Sequence, residues 1–259
     1  MDLRFRCDDR VGYTTAVKPG IAGLRYLEIG LLRLASGQTH RLGRSDREVG
    51  VVLISGSCTA RADGQTWESL GGRQSIFDGP PTALYIPAGA SAELAALTSL
   101  TAVVGSAPAE PGAEVRAVLP SELSLRIVGR GSYRRSLYQI MFDNVPARRL
   151  LVGETYNEPG GWSGYPPHKH DQDALPDESA LEEVYFMQID RPQGFGFIGV
   201  FDEAGLDEAY TVRSGDFIAV PRGYHPVANL PGQRLGYIWF MAGEKRTWVP
   251  RNHPAHPAV

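Results

Sequence analysis

The chain has 259 residues, 42% of them hydrophobic and 21% charged, with a formal net charge of −3. That is the composition of a globular protein long enough for one large domain or two small ones. It has no basic stripe that would suit nucleic acid and no run of about 18 apolar residues that would span a membrane.

The chain opens on charged residues, Met1 to Arg10, with no apolar stretch of the kind that directs secretion. Cys7 and Cys58 are far apart and read as free thiols in a reducing compartment, so we expect a cytoplasmic protein. Glycine (30) and proline (19) punctuate the chain throughout. Between them lie short β-rich runs at 49–54, 83–86, 100–104, 136–142, 148–156, 183–189, 195–201, 208–213, 216–220 and 235–241. Many short strands separated by turn residues predict an all-β sandwich or barrel. Segments 120–127 and 172–182 read as loops or short helices, and Arg191-Pro192-Gln193-Gly194 as the turn of a hairpin over 183–201.

Three histidines and a carboxylate stand out. In a β-strand, residues i and i+2 share a face, so His168 and His170 can reach one point while Lys169 faces away and should be exposed. Glu183 opens the apolar run Glu183-Val184-Tyr185-Phe186-Met187, and His225 closes Pro221-Arg222-Gly223-Tyr224-His225. Imidazoles and a carboxylate converging on one point suit a divalent transition metal. Glu182 would then face the opposite side from Glu183. A lone His-x-His is more often packing chemistry, and the other two residues are what favour a metal.

The chain also repeats itself. Gln38-Thr39-His40 falls on His168-Lys169-His170, Glu48-Val49 on Glu183-Val184, and Pro87-Ala88-Gly89 on Pro221-Arg222-Gly223, in one order at nearly one spacing. The expected division is 1–115 and 116–259, with the boundary in the Pro/Gly/Ala-rich stretch 107–113. In the first half Gln38 replaces His168 and Ser91 replaces His225, which leaves His40 and Glu48. Two ligands rarely hold a metal alone, so the first unit is expected to be metal-free.

The second half resembles a cupin. His168-x-His170 and Glu183 match the first cupin motif, with 171–181 inserted, either as a mobile lid or as a surface loop. Gly215, Pro221-x-Gly223, His225 and Asn229 match the second, with one residue fewer than usual before His225. The runs Gly153-Glu154-Thr155-Tyr156-Asn157, Trp162-Ser163-Gly164-Tyr165-Pro166-Pro167-His168-Lys169-His170-Asp171, Glu182-Glu183-Val184-Tyr185-Phe186 and Met241-Ala242-Gly243-Glu244 more specifically resemble the bacterial 5-deoxy-glucuronate isomerases of myo-inositol breakdown. The chain is also similar, more distantly, to the metal-dependent 4-deoxy-L-threo-5-hexosulose-uronate isomerases of pectin breakdown.

The resemblance implies a bicupin, two double-stranded β-helix barrels from an internal duplication. It implies an aldose–ketose isomerase converting 5-deoxy-D-glucuronate to 5-dehydro-2-deoxy-D-gluconate. The metal would be held by His168, His170, Glu183 and His225, with zinc expected first and manganese second. Glu154 and Tyr156 share a parity on the strand before the metal motif and are candidates to carry the proton. Tyr185 shares the inward face of Glu183 and is a third. Arg222, beside the second motif, is the candidate for the substrate carboxylate, with Arg191 and Arg213 as alternatives. Trp162, Trp239 and Trp248 read as core or interface aromatics, though Tyr237 and Trp239 alternate on one strand and can line a barrel. His253 and His256 lie in a Pro-rich tail, read as disordered or packed on a neighbour.

The expected partners are a small sugar acid and further copies of the chain. Two other functions use the same residues: an iron-dependent cupin dioxygenase and a non-enzymatic sugar-binding cupin.

Overall fold

The computed structural model describes residues 1–258 and is almost entirely β. Two large antiparallel sheets dominate. One runs, edge to edge, Arg116–Val118, Thr82–Ile86, Arg47–Ser55, Leu100–Pro108, Glu28–Leu34 and Gly12–Val17. The other runs Arg4–Phe5, Phe217–Val220, Glu182–Ile189, Leu235–Ala242, Leu151–Asn157, Arg135–Met141 and Arg126–Val128. Position for position the order is the same, apart from the extra edge strand Arg126–Val128. Each large sheet faces a smaller one with a matching order: Thr39–Leu42, Ala92–Ala96, Ser57–Ala62, Gln65–Gly71 in the first unit and Trp162–Ser163, Val227–Asn229, Gly196–Phe201, Asp207–Val212 in the second. The chain is thus a bicupin. Its outermost edges cross over: the N-terminal Arg4–Phe5 pairs with Ile218 and Phe217 of the second unit.

The core has three layers. Leu32, Val51, Leu84 and Leu94 fill the first barrel, and Leu151, Met187, Ile218 and Leu235 belong to the second. Between them the two large sheets meet through Ile29, Val52, Val103, Val152, Val184, Phe186, Ile238 and Phe240. The central strands are buried on both faces, so they read as continuous apolar runs rather than alternating ones. Each β-rich run of the sequence overlaps a strand, but 148–150, expected to open one, lies outside it and enters as an irregular segment. The hairpin expected over 183–201 does not form. Glu182–Ile189 and Gly196–Phe201 belong to different sheets, and the turn at 191–194 carries the chain from one wall of the barrel to the other.

Strand pairing corrects the register of the repeat. Val49 lies opposite Ile86 as Glu183 lies opposite Val220, so Val49, not Glu48, occupies the place of Glu183. Val49 packs in the apolar interior of the first barrel and offers no ligand atom there. Glu48 is instead the counterpart of Glu182, and the two do the same work. Glu48 accepts the backbone N–H groups of Arg148, Arg149 and Leu150, and Glu182 those of Arg25, Tyr26 and Leu27. Each carboxylate thereby ties one barrel to the segment entering the other, and the two clamps are reciprocal. A carboxylate accepting three amides replaces its lost hydration well enough to stay buried.

Candidate metal centre and its cavity

His168 and His170 come from a short segment that no large sheet contains. His168–Lys169 pairs only with Arg251–Asn252 of the C-terminal tail, and the His253 N–H adds a bond to the Pro167 carbonyl. The tail therefore covers this segment, and Lys169 is buried, not exposed as strand parity implied. Its ammonium binds Asp171 Oδ1 at 3.1 Å and sits 5.8 Å from the ring centre of Tyr224. His253 meets the Tyr224 ring edge-on at 4.5 Å and is half-buried, while His256 lies 4.7 Å from His253 and stays exposed.

Glu183 and Tyr185 project from the second large sheet into the barrel, on the face opposite Glu182, Val184 and Phe186. His225 follows a turn that only glycine suits at position 223. There φ is +88°, and a Cβ would meet the Phe201 carbonyl oxygen at 2.6 Å.

The three imidazoles meet. Their ligand atoms lie within 4.8 Å of one another. In each ring Nδ1 faces a backbone carbonyl: Pro166 at 3.3 Å for His168, Leu181 at 2.9 Å for His170 and Gly223 at 2.8 Å for His225. These contacts place a proton on each Nδ1 and turn the Nε2 atoms inward, the usual arrangement behind metal-binding histidines. Glu183 Oε2 lies 3.2 Å from His170 Nε2 and 3.4 Å from His225 Nε2. His225 Nε2 is buried and makes no hydrogen bond. An orphaned buried acceptor is costly unless something binds it. Burial holds His168 down to about 3, with His170 adding to the shift, and holds His225 well below its ordinary value. Burial opposes charge on His170 too, but the Glu183 hydrogen bond and carboxylate raise it. His168 and His225 thus stay neutral while His170 shares an Nε2 proton with Glu183; with that proton displaced, three imidazoles beside one carboxylate are a donor set that a divalent transition metal takes.

Asp171 locks the two motifs together. Its Oδ1 accepts from Lys169 and its Oδ2 accepts the Gly223 N–H at 2.8 Å, which bridges the His168–His170 segment to the turn that carries His225. Asp171→Asn is expected to weaken metal binding about 10- to 100-fold with the fold retained. Competition against a calibrated chelator measures this, and unchanged affinity would mean that Asp171 does not position the histidines.

His168, His170 and Glu183 line one wall of a cavity of about 60 Å³, completed by Arg135, Leu137, Thr155, Gly164, Tyr185, Tyr237, Trp239, Met241 and Trp248. Gly153 makes room for it: a Cβ there would strike the Trp239 ring at 2.1 Å. Trp239 Nε1 donates to Thr155 Oγ1 at 3.0 Å, and the Tyr237 hydroxyl donates to Ser163 at 2.8 Å. Trp239 and Trp248 thus belong to the cavity as well as to the packing, while Trp162 is exposed elsewhere. The 171–181 insert is a hairpin, Asp171–Ala174 with Glu178–Ala180, closed by Glu178 Oε1 accepting the Asp171 and Gln172 N–H groups. None of its residues lines the cavity, and its end is buried where the Leu181 carbonyl meets His170 Nδ1.

Three candidate site residues lie elsewhere. Glu154 and Tyr156 share a face of their strand, as parity requires, but it is the face turned to the other barrel. Thr155 between them faces the cavity. Glu154 is fully buried and takes a bidentate pair from Arg73 of the first unit, both bonds at 2.8 Å, with the Tyr156 hydroxyl as a further close donor. Arg222 turns outward and pairs with Asp202 at 2.5 Å. Arg191 and Arg213 do not line the cavity either. The cavity cation is Arg135, which adjoins neither metal motif and so carried no signal in the sequence.

A jelly-roll pair with a histidine–carboxylate cluster that could hold a metal, beside a polar and aromatic cavity of the second barrel, defines a bicupin. The chain belongs to the KduI/IolB family, whose model matches residues 3–259. It is 39% identical over 250 residues to a 5-deoxy-glucuronate isomerase of Geobacillus thermodenitrificans, covering 96% of this chain and 91% of that one. It is 37% identical over 236 residues to the 5-deoxy-glucuronate isomerase of Bacillus subtilis strain 168, covering 90% and 87%. The crystal structure of an IolB-like protein from Salmonella typhimurium superposes with a TM-score of 0.94 at 32% identity, covering 99% of this chain and 98% of that one. An oxalate decarboxylase of Lactobacillus farciminis shares the fold alone, with a TM-score of 0.67 at 14% identity over 97% and 88%.

Proposed function

We propose that this chain is a metal-dependent 5-deoxy-glucuronate isomerase, moving the carbonyl of 5-deoxy-D-glucuronate from C1 to C2. Its relatives at 35–39% identity carry the isomerase name. The observation that supports metal dependence is the set of three Nδ1-anchored imidazoles whose Nε2 atoms converge beside Glu183, one of them an orphan. His168, His170, His225 and Glu183 would hold the ion, with zinc first and manganese second. When bound, it would supply Lewis acidity to the carbonyl and the adjacent hydroxyl and offset the charge that develops on their oxygens.

Tyr185 is the side chain we assign to proton handling at those oxygens. Burial, reinforced by the Glu183 charge, raises its hydroxyl well above the usual tyrosine range. It therefore stays protonated across neutral pH and can donate to an enediol oxygen. Burial holds Tyr237 up to about 12, so it too stays protonated, with its hydroxyl donated to Ser163 Oγ. Trp239 and Trp248 give the sugar carbons an apolar wall and keep water from the enediol. Tyr185→Phe is expected to lower kcat about 10²-fold while metal content and KM change little; steady-state assays on metal-quantified protein test it, and an unchanged kcat would remove Tyr185 from the chemistry.

The reaction itself is tested by incubating metal-loaded protein with 5-deoxy-D-glucuronate in deuterated water and following carbonyl position and label by NMR. Isomerisation that proceeds equally without oxygen is the expected result. An absence of product, or a requirement for Fe(II) and oxygen, would favour the dioxygenase reading instead. We place the enzyme in the cytoplasm on its two free cysteines, Cys7 and Cys58. Self-association is supported by exposed Leu125 and Ile127 at and beside the edge strand Arg126–Val128. No described helix is long and apolar enough to cross a membrane.

A further inference from the structure

We infer that Arg135 and Leu137, neighbours on the cavity face of the strand Arg135–Met141, read the end of the substrate remote from the metal: Arg135 the carboxylate, Leu137 the deoxygenated carbon next to it. This rests on the isomerase reading above and assigns the residues that set its specificity.

Arg135 is, among the described residues, the only lysine or arginine lining the cavity. Among the described residues it forms no ion pair. One nitrogen, Nη1, is held by two backbone carbonyls, Tyr133 at 3.2 Å and Tyr165 at 3.1 Å. Those bonds fix the guanidinium without neutralising it, and Nε and Nη2 have no hydrogen-bond partner among the described residues. A half-buried guanidinium anchored at one nitrogen, with two donors left over, is prepared for a planar anion. Arg222, by contrast, is already paired with Asp202 outside the cavity.

Leu137 is two residues along on the same face, opposite Thr155, and lines the same cavity with Trp239, Met241 and Trp248. Beside the cation, then, the wall offers carbon and no hydrogen-bond acceptor from Leu137. 5-Deoxy-glucuronate matches that order of groups, since a methylene separates its carboxylate from the hydroxylated carbons. Glucuronate would set a hydroxyl against Leu137 and lose its water partner.

The experiment compares 5-deoxy-glucuronate, glucuronate and 5-deoxyglucose, which has an alcohol in place of the carboxylate, on wild type and three variants of the metal-loaded protein. Arg135→Met is expected to raise KM for 5-deoxy-glucuronate roughly 10²-fold. It should erase most of the preference over 5-deoxyglucose while metal content is unchanged, and Arg135→Lys should restore part of both. Leu137→Asn should narrow the preference for 5-deoxy-glucuronate over glucuronate about 10-fold. Equal losses on all three sugars would make Arg135 structural and overturn the assignment. Binding, read by Trp239 and Trp248 fluorescence, separates the two readings. A wild type that binds 5-deoxy-glucuronate without converting it sinks the isomerase alone. An Arg135→Met protein that still binds the carboxylate over the alcohol at the wild-type ratio sinks this inference alone.

Discussion

His225→Ala is expected to lower turnover by roughly 10³-fold or more, together with its bound metal. Of the three histidines, His225 is the most telling to remove. It is fully buried, its Nδ1 is bonded to the Gly223 carbonyl, and its Nε2 has no hydrogen-bond partner. Without metal that atom is a buried liability, so in the apo protein the substitution removes an unsatisfied acceptor as well as a bond. The apo Tm should move little. With metal the two proteins should diverge, because a ligand that binds only the folded state stabilises by about 2.7 kcal/mol at a hundred times its Kd. Wild type should therefore gain several degrees on metal addition and the variant should not. The control is His40→Ala. His40 pairs with Leu94 in the first barrel, where Val49 stands at the place of Glu183, so metal stoichiometry should be one per chain before and after. A variant of His225 that keeps full metal and activity would refute the centre, and two ions per chain in wild type would refute the assignment of the first barrel.

Arg73→Met is expected to destabilise the protein by about 3–5 kcal/mol, since it leaves the Glu154 carboxylate buried without its cation. For a chain of this size that is a fall in Tm on the order of 10 °C. Burial works against the charge on Arg73, but the Glu154 carboxylate outweighs it and holds the guanidinium above its ordinary value. Burial and the same carboxylate also raise Tyr156, which keeps its proton and donates it to Glu154. The pair spans the interface, with Arg73 also bonded to the Leu53 carbonyl of its own unit. Replacing both partners, as in Arg73→Met with Glu154→Leu, should recover much of the loss, because neither charge is then stranded. Glu154→Gln separates structure from catalysis. Measured below its lowered Tm, it should keep kcat within a few-fold of wild type. Were Glu154 the proton carrier, kcat would drop about 10²- to 10⁴-fold at unchanged metal content, and the interface assignment would fall.

The two carboxylate clamps and the Arg73–Glu154 pair together explain why the duplicated sheets are not interchangeable surfaces. Apolar contacts through Val152, Val184, Phe186 and Phe240 hold the layers together, but such contacts are non-directional. Glu48 on the amides of 148–150 and Glu182 on those of 25–27 set the relative position of the barrels, because one carboxylate accepts from all three N–H donors in one place only.

What the residues alone determined was the β architecture, its duplication and the grouping of His168, His170, Glu183 and His225. These follow from local rules: turn residues punctuate strands, period two sets which side chains share a face, and motif spacing survives duplication. Glu154 and Tyr156 mark where those rules stop. Parity correctly placed them on one face, but their strand is buried on both sides, so hydrophobicity could not say which face met the cavity and which met the other barrel. Lys169 went the other way, covered by a tail that joins it from Arg251, far along the chain. Arg135 carried no pattern at all. Only the tertiary structure decided these, because a cavity collects side chains by proximity across strands, and a sequence records neighbours along one chain.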